Sequence, residues 1–310
     1  MKKDLKFKIV DVLLIILTVL PLVAGMVLSI LTKPASEGIE ITGAMIYCTI
    51  PFPIQDLPIT ESQVNSLLVT LFIAGLCLFL THGMKSGVKC KRHLLAEWIV
   101  EKTDILVNTN MGELFYQFSP FIAAILGLSA FSSLFSLLGL YPPTSDFNII
   151  CGWSVAVFIL ITHYKLKGGL WNYIKGFGEP LILFAPMNVI SEFSTPLAMA
   201  FRHYGNVLSG SVISTLVLTA LAGLSAKLLG WLPEGLNNIP LFQIGIPAVL
   251  SIYFDVFSGC LQAFIFAMLT MMNIGMAFPE DLWRKRMEKR KAKKAKKALK
   301  HDIKELHAAD

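Results

Sequence analysis

Arg202, Asn206, Gly210 and Ser214 recur at every fourth position. On a helix that spacing puts a permanent cation, an amide and two small residues along one side, with Ser209 and Ser211 flanking the stripe. Further along, Asp255, Gly259 and Gln262 stand at i, i+4 and i+7, with Tyr253 and Ser258 beside them. Upstream, Asn188 and Glu192 are again four apart. A guanidinium stays protonated at any working pH, so Arg202 can attract or repel charge but cannot hand on a proton. Asp255 and Glu192 can take one up and release it. Residues of these types suit the movement of ions past a fixed charge.

The surroundings make that cation expensive. Of 310 residues, 55% are hydrophobic and only 15% charged, against about 25% charged in soluble domains. Several apolar runs exceed the roughly 18 residues that mark a membrane-spanning helix. Arg202 lies within one of them, and no acidic residue follows it until Glu234. A guanidinium at the bilayer centre costs from about 2.5 to more than 10 kcal/mol. Its counter-charge must be Glu192, Asp255 or a group on another chain.

The expected fold class is an all-α polytopic membrane protein. Six membrane segments are expected, at 9–31, 64–82, 119–140, 148–164, about 181–232 and about 241–277. All Lys and Arg except Lys33, Arg202 and Lys227 fall at the N-terminus, in alternate connections or in the tail. The preference of basic loops for the inner side then places both termini in the cytoplasm. Leu197–Trp231 and Leu241–Met276 exceed what a roughly 30 Å core needs. The last two helices should therefore be long and strongly tilted, with Pro196 starting the first near Arg202 and Pro247 kinking or restarting the second. Residues 1–31 read as a retained additional helix, since the apolar run is too long for a signal-peptide core of roughly 7–15 residues. Residues 32–278 form the main membrane domain, and 279–310 a basic tail.

Two short stretches suit the membrane interface. In 93–107, Leu94, Leu95, Trp98, Ile99, Ile105 and Leu106 share one side and Glu97, Glu101 and Asp104 the other. Lys165–Lys175, with Trp171 and Tyr173, has the same character. The tail from Arg284 to Lys300 is dense in Lys and Arg, which suits anionic lipid and, without a recognition motif, not nucleic acid. The five cysteines form no CxxC pair and give no metal or disulfide signal. No P-loop, HExxH or GxSxG motif is present, so no cofactor or catalytic centre is expected.

The motifs resemble subunit a of F-type ATP synthases. Ala200-Phe201-Arg202-His203-Tyr204-Gly205-Asn206 is similar to that family's L-R-L-x-G-N motif. Leu261-Gln262-Ala263-Phe264-Ile265-Phe266-Ala267-Met268-Leu269-Thr270 follows its last helix closely. Pro142-Pro143-Thr144-Ser145-Asp146-Phe147-Asn148, Pro186–Phe193 and Pro58-Ile59-Thr60-Glu61 also match. The resemblance runs from about residue 50 to 278. His203 replaces the usual Leu, Ser211 stands where Glu is common, and Asp255 stands where His or Glu is common.

The resemblance implies a stator subunit in the cell membrane, beside a ring of c subunits and a peripheral-stalk subunit b. Each c subunit carries a membrane-buried carboxylate. Ions, expected to be protons, reach these carboxylates and leave them by two half-channels, with ATP chemistry in other subunits. Arg202 would face the passing carboxylates in a wet site supported by Asn206 and Gln262. The outer half-channel would use Asp255, Ser211 and Asn206, reached past Asp146. The inner one would use Glu192 and Asn188. Two alternatives are the same role with Na⁺ and a self-contained secondary transporter, although no internal repeat is visible.

Overall fold

The computed structural model describes residues 2–32, 43–53, 56–84, 91–178, 182–229 and 245–281, together with Arg284, Lys285 and Glu288. The basic tail beyond these, Lys33, and the Trp231 and Leu241 ends of the long segments lie outside the described residues. Among the described residues six helices are long and apolar enough to cross a membrane: Ile9–Thr32, Glu61–Thr81, Glu113–Leu138, Phe147–Leu166, Ala185–Leu228 and Val249–Ala277. They coincide with the six expected segments. In lipid every backbone polar group must be satisfied within the chain, and helices do this within one segment.

The chain divides into two compact units. One holds residues 1–154 and 197–271, the other 155–196 and the chain from 272 onward. In the first, helix α1 (Lys2–Thr32) is followed by a small antiparallel hairpin, β1 (Ile46–Ile50) and β2 (Leu57–Thr60). Ile46 pairs with Thr60 and Ile50 with Leu57. Then come α2 (Glu61–Thr81) and α3 (Lys91–Met111). Helix α4 (Ser119–Leu134) lies between 3-10 turns at Glu113–Phe118 and Phe135–Leu138. Helix α1 seats tightly on α2, because a Cβ at Gly75 would lie 2.8 Å from the Thr18 side chain. Asp11 of α1 accepts hydrogen bonds at 2.8 Å from both Arg92 and His82. The apolar centre of this region is Val69, Phe135 and Leu140, with Phe72 set edge-on against Phe131 and Phe135.

Helix α3 buries His93, Ala96 and Val107. Leu94, Leu95, Trp98 and Ile105 face outward. Val100 is exposed too, so outward apolar side chains are not confined to the one side expected for 93–107.

Helix α5 (Phe147–Leu166) starts at Asp146, whose Oδ1 accepts the Asn148 N–H at 2.9 Å. That caps a backbone donor left open at the helix start. In the second unit the C-terminal half of α5 continues to the short α6 (Leu170–Phe177). Phe158 packs on Phe193 and Tyr164 on Phe278. A Cβ at Gly168 would meet the Pro279 ring at 2.6 Å, so only glycine fits there.

Helix α7 runs from Ala185 to Leu229, 45 residues with Pro196 inside it. This corrects the expectation that Pro196 begins a helix. Proline removes one backbone hydrogen bond, and a membrane helix tolerates that when neighbours re-satisfy the freed group. Asn188, Glu192, Arg202, Asn206 and Ser211 therefore belong to a single helix. Pro247 does restart structure, in the first turn of α8 (Ile246–Ser251). A π-helical turn at Ile252–Ser258 then leads into α9 (Gly259–Ala277).

Candidate functional site

The π-turn decides where Asp255 goes. Spacing of i, i+4 and i+7 puts Asp255, Gly259 and Gln262 on one face only if the helical phase is uniform, and a wider turn breaks that phase. Asp255 accordingly lines a hydroxyl-bearing cavity of about 440 Å³. Gln262 does not; it is 3% exposed and turned into the protein. The expected common face is thus corrected. The two residues are linked through α7: Asn206 Nδ2 donates to Gln262 Oε1 at 3.3 Å, and Ser258 Oγ donates to Asn206 Oδ1 at 3.3 Å.

Asn206, Ser211 and Asp255 all line the cavity. Asp255 also accepts hydrogen bonds from Ser136 and Ser251. The remaining wall is rich in hydroxyls, among them Ser133, Ser145, Ser214, Tyr141 and Tyr204. Sequence reasoning missed the α4 contribution, yet the signal is present: Ser129, Ser132, Ser133 and Ser136 recur at i, i+3, i+4 and i+7. Small residues bring the walls together. A Cβ at Gly259 would lie 2.5 Å from that of Ser133, and one at Gly210 would touch the Phe254 ring at 3.0 Å.

Asp146 is not among the lining residues. Its carboxylate caps α5 with one oxygen and accepts a hydrogen bond from Ser62 with the other. Asn65 donates to the Tyr141 carbonyl at 2.8 Å. Asp146 therefore fastens α5 to α2, and in this way holds the 141–146 loop that walls the cavity. Tyr141 of that loop has its phenol pKa raised, first by burial and then by the charge of Asp146.

In the second unit, Glu192 lines a separate cavity of about 250 Å³ with Lys165, Thr195 and Asn273. Lys165 Nζ stands 2.9 Å from Glu192 Oε1, and the Tyr173 hydroxyl donates to the same oxygen at 3.1 Å. Glu192 is thus paired with Lys165. Asn188 is absent from this lining; its Nδ2 donates to the Phe177 carbonyl at 2.9 Å, tying the start of α7 to the end of α6. Lys165 and Tyr173 were read from the sequence only as interfacial residues.

Arg202 is exposed. Among the described residues the ion pairs involve Asp11, His82, Arg92, Lys165, Glu192, Glu280 and Arg284, and none involves Arg202. Its neighbour His203 is wholly buried, edge-on to Trp153 and Phe266, with Nε2 3.4 Å from Ser129 Oγ. Successive helical residues point about 100° apart, so burying His203 among α4, α5 and α9 fixes the roll of α7 and turns Arg202 outward. Among the described residues His203 Nδ1 is buried with no hydrogen-bond partner, and such an atom costs about 1–3 kcal/mol. His203→Leu is therefore expected to keep coupling and raise the unfolding temperature of the purified assembly. A lowered temperature would mean that Nδ1 holds a partner, such as a buried water.

The family model described as ATP synthase A chain matches residues 64–275. ATP synthase subunit a of Priestia megaterium is 31% identical over 248 residues, 74% of this chain and 97% of that one. Subunit a of Acidothermus cellulolyticus is 29% identical over 228 residues, covering 70% and 76% of the two chains. A sodium ion specific subunit a from Propionigenium modestum is 33% identical over 152 residues, 48% and 45%. With six apolar helices among the described residues, the chain belongs to the ATP synthase A chain family, the ion-translocating membrane subunit of F-type ATP synthases, in which other subunits carry the ATP chemistry.

Proposed function

We propose that Arg202 is the fixed charge past which a ring of c-subunit carboxylates turns, with protons delivered and removed through the two cavities. The observation that carries this reading is an exposed Arg202 with no ion pair among the described residues, on the same helix as Asn206 and Ser211 of the cavity that holds Asp255. A cation in an apolar segment without an internal counter-charge calls for one from a partner.

Magnitudes fit a reversible contact. At about 4 Å and an effective dielectric near 20, a guanidinium and a carboxylate attract by about 4 kcal/mol. One charge crossing 100 mV supplies about 2.3 kcal/mol. The two are comparable, so the contact can break at each step if the site is wet. Arg202 favours the ionised carboxylate, promotes proton release and repels other cations.

In this reading Asp255, Ser211 and Asn206 serve the outer half-channel and Glu192 lies in the inner one. Gln262 braces Asn206, while Asp146 and Asn188 brace the walls. Both termini lie in the cytoplasm, the chain meets a peripheral-stalk subunit b, residues 1–31 add a membrane helix to the domain at 32–278, and the basic tail at 279–310 meets anionic lipid.

Protons are the proposed coupling ion, with Asp255 as the carboxylate in the outer cavity that can bind and release one. In sealed vesicles holding the whole complex, ATP is expected to drive acidification without added Na⁺, and a protonophore should abolish it. ATP-driven Na⁺ uptake that survives or rises with the protonophore would assign the role to Na⁺.

A further inference from the structure

Glu192 sits in a setting unlike that of an ion carrier. One of its carboxylate oxygens takes both the Lys165 ammonium at 2.9 Å and the Tyr173 hydroxyl at 3.1 Å. Its side chain is 7% exposed, that of Lys165 32%. Desolvation first, then the negative charge of Glu192 and the hydrogen bond to it, push the Tyr173 phenol up to about 12. The raised value keeps this group protonated, so the phenol stays a neutral donor across the neutral pH range. A carboxylate that carries protons must alternate between charged and neutral forms. Each protonation of Glu192 would strip Lys165 of its counter-charge and weaken a charge-assisted bond from Tyr173.

Resting on the function proposed above, we infer that Glu192 is the fixed counter-charge of Lys165 and that this pair, not a titrating carboxylate, governs ion release through the cavity. While the pair is intact it has no net charge, so a passing cation meets a carboxylate whose charge Lys165 already balances. Removing Glu192 alone leaves a bare ammonium that repels cations. Removing both charges restores neutrality. Thr195 and Asn273, which share the lining, supply polar surface without adding charge.

The test compares Glu192→Gln, Lys165→Gln and the double variant in vesicles holding the complete complex, with subunit content checked by immunoblot. Glu192→Gln is expected to lose at least about tenfold in ATP-driven pumping, and adding Lys165→Gln to return the rate to within about threefold of the parent. A double variant as impaired as Glu192→Gln overturns the inference and makes Glu192 an ion carrier, with the proposed function intact. An unimpaired Glu192→Gln also overturns it and removes this cavity from the route, while the role of Arg202 is tested separately. The reversed pair, Lys165→Glu with Glu192→Lys, guards against failed assembly of the single variants. It keeps the contact and should pump within about threefold of the parent; loss of pumping in an assembled complex overturns the inference.

Discussion

Arg202→Ala is expected to abolish both ATP synthesis and ATP-driven ion pumping in sealed vesicles, a loss of at least about a hundredfold, while the complex still assembles. Arg202 is exposed and makes no ion pair among the described residues, so its removal leaves no buried carboxylate of this chain stranded. On the proposed function, what is lost is the cation that draws a partner's carboxylate into its ionised form and repels other cations crossing the membrane. The variant vesicles should therefore also leak ions passively. Arg202→Lys keeps charge but not the planar, two-pronged donor geometry, and should recover only part of the coupling. Normal pumping by the alanine variant would remove Arg202 from the mechanism.

The second large effect is expected at Asp255. It is the carboxylate in the lining of the 440 Å³ cavity, whose other polar groups are hydroxyls, Asn206 and backbone. Asp255→Asn keeps the shape and most hydrogen bonding but cannot bind and release a proton. Ion entry is expected to slow at least about tenfold across pH 6–9, read as the initial rate of ATP synthesis under an imposed gradient. Ser211 lines the same cavity, so Ser211→Glu added to Asp255→Asn should restore part of the rate. An unchanged rate in the single variant would take Asp255 off the route, and no rescue would mean that the position of the carboxylate matters as well as its presence.

The spans were legible because lipid imposes a simple rule: about 20 apolar residues per crossing, which composition alone displays. The grouping of Asn206, Ser211 and Asp255 was legible for a related reason, since polar side chains inside apolar helices stand out. Three features were not. The hairpin at Ile46–Ile50 and Leu57–Thr60 carries Pro58 within a strand and shows no clean alternation, so it gives no strand signal. The π-turn at Ile252–Ser258 has no sequence mark, because an added residue per turn depends on tertiary contacts such as the seat of Gly259 against Ser133. Partner choice was the third. Four-residue spacing put Asn188 and Glu192 together, yet one bonds the end of α6 and the other Lys165. Pairing across helices depends on how α5, α6 and α7 pack, which spacing along one helix does not encode.

The most direct measurement is a density map of the assembled membrane sector at a resolution that shows side chains. The account predicts the Arg202 guanidinium facing a carboxylate of a neighbouring rotor subunit, with no carboxylate of its own chain within about 4 Å, the reach of an ion pair. A guanidinium bonded to Glu192 or Asp255 and turned away from the rotor would contradict it.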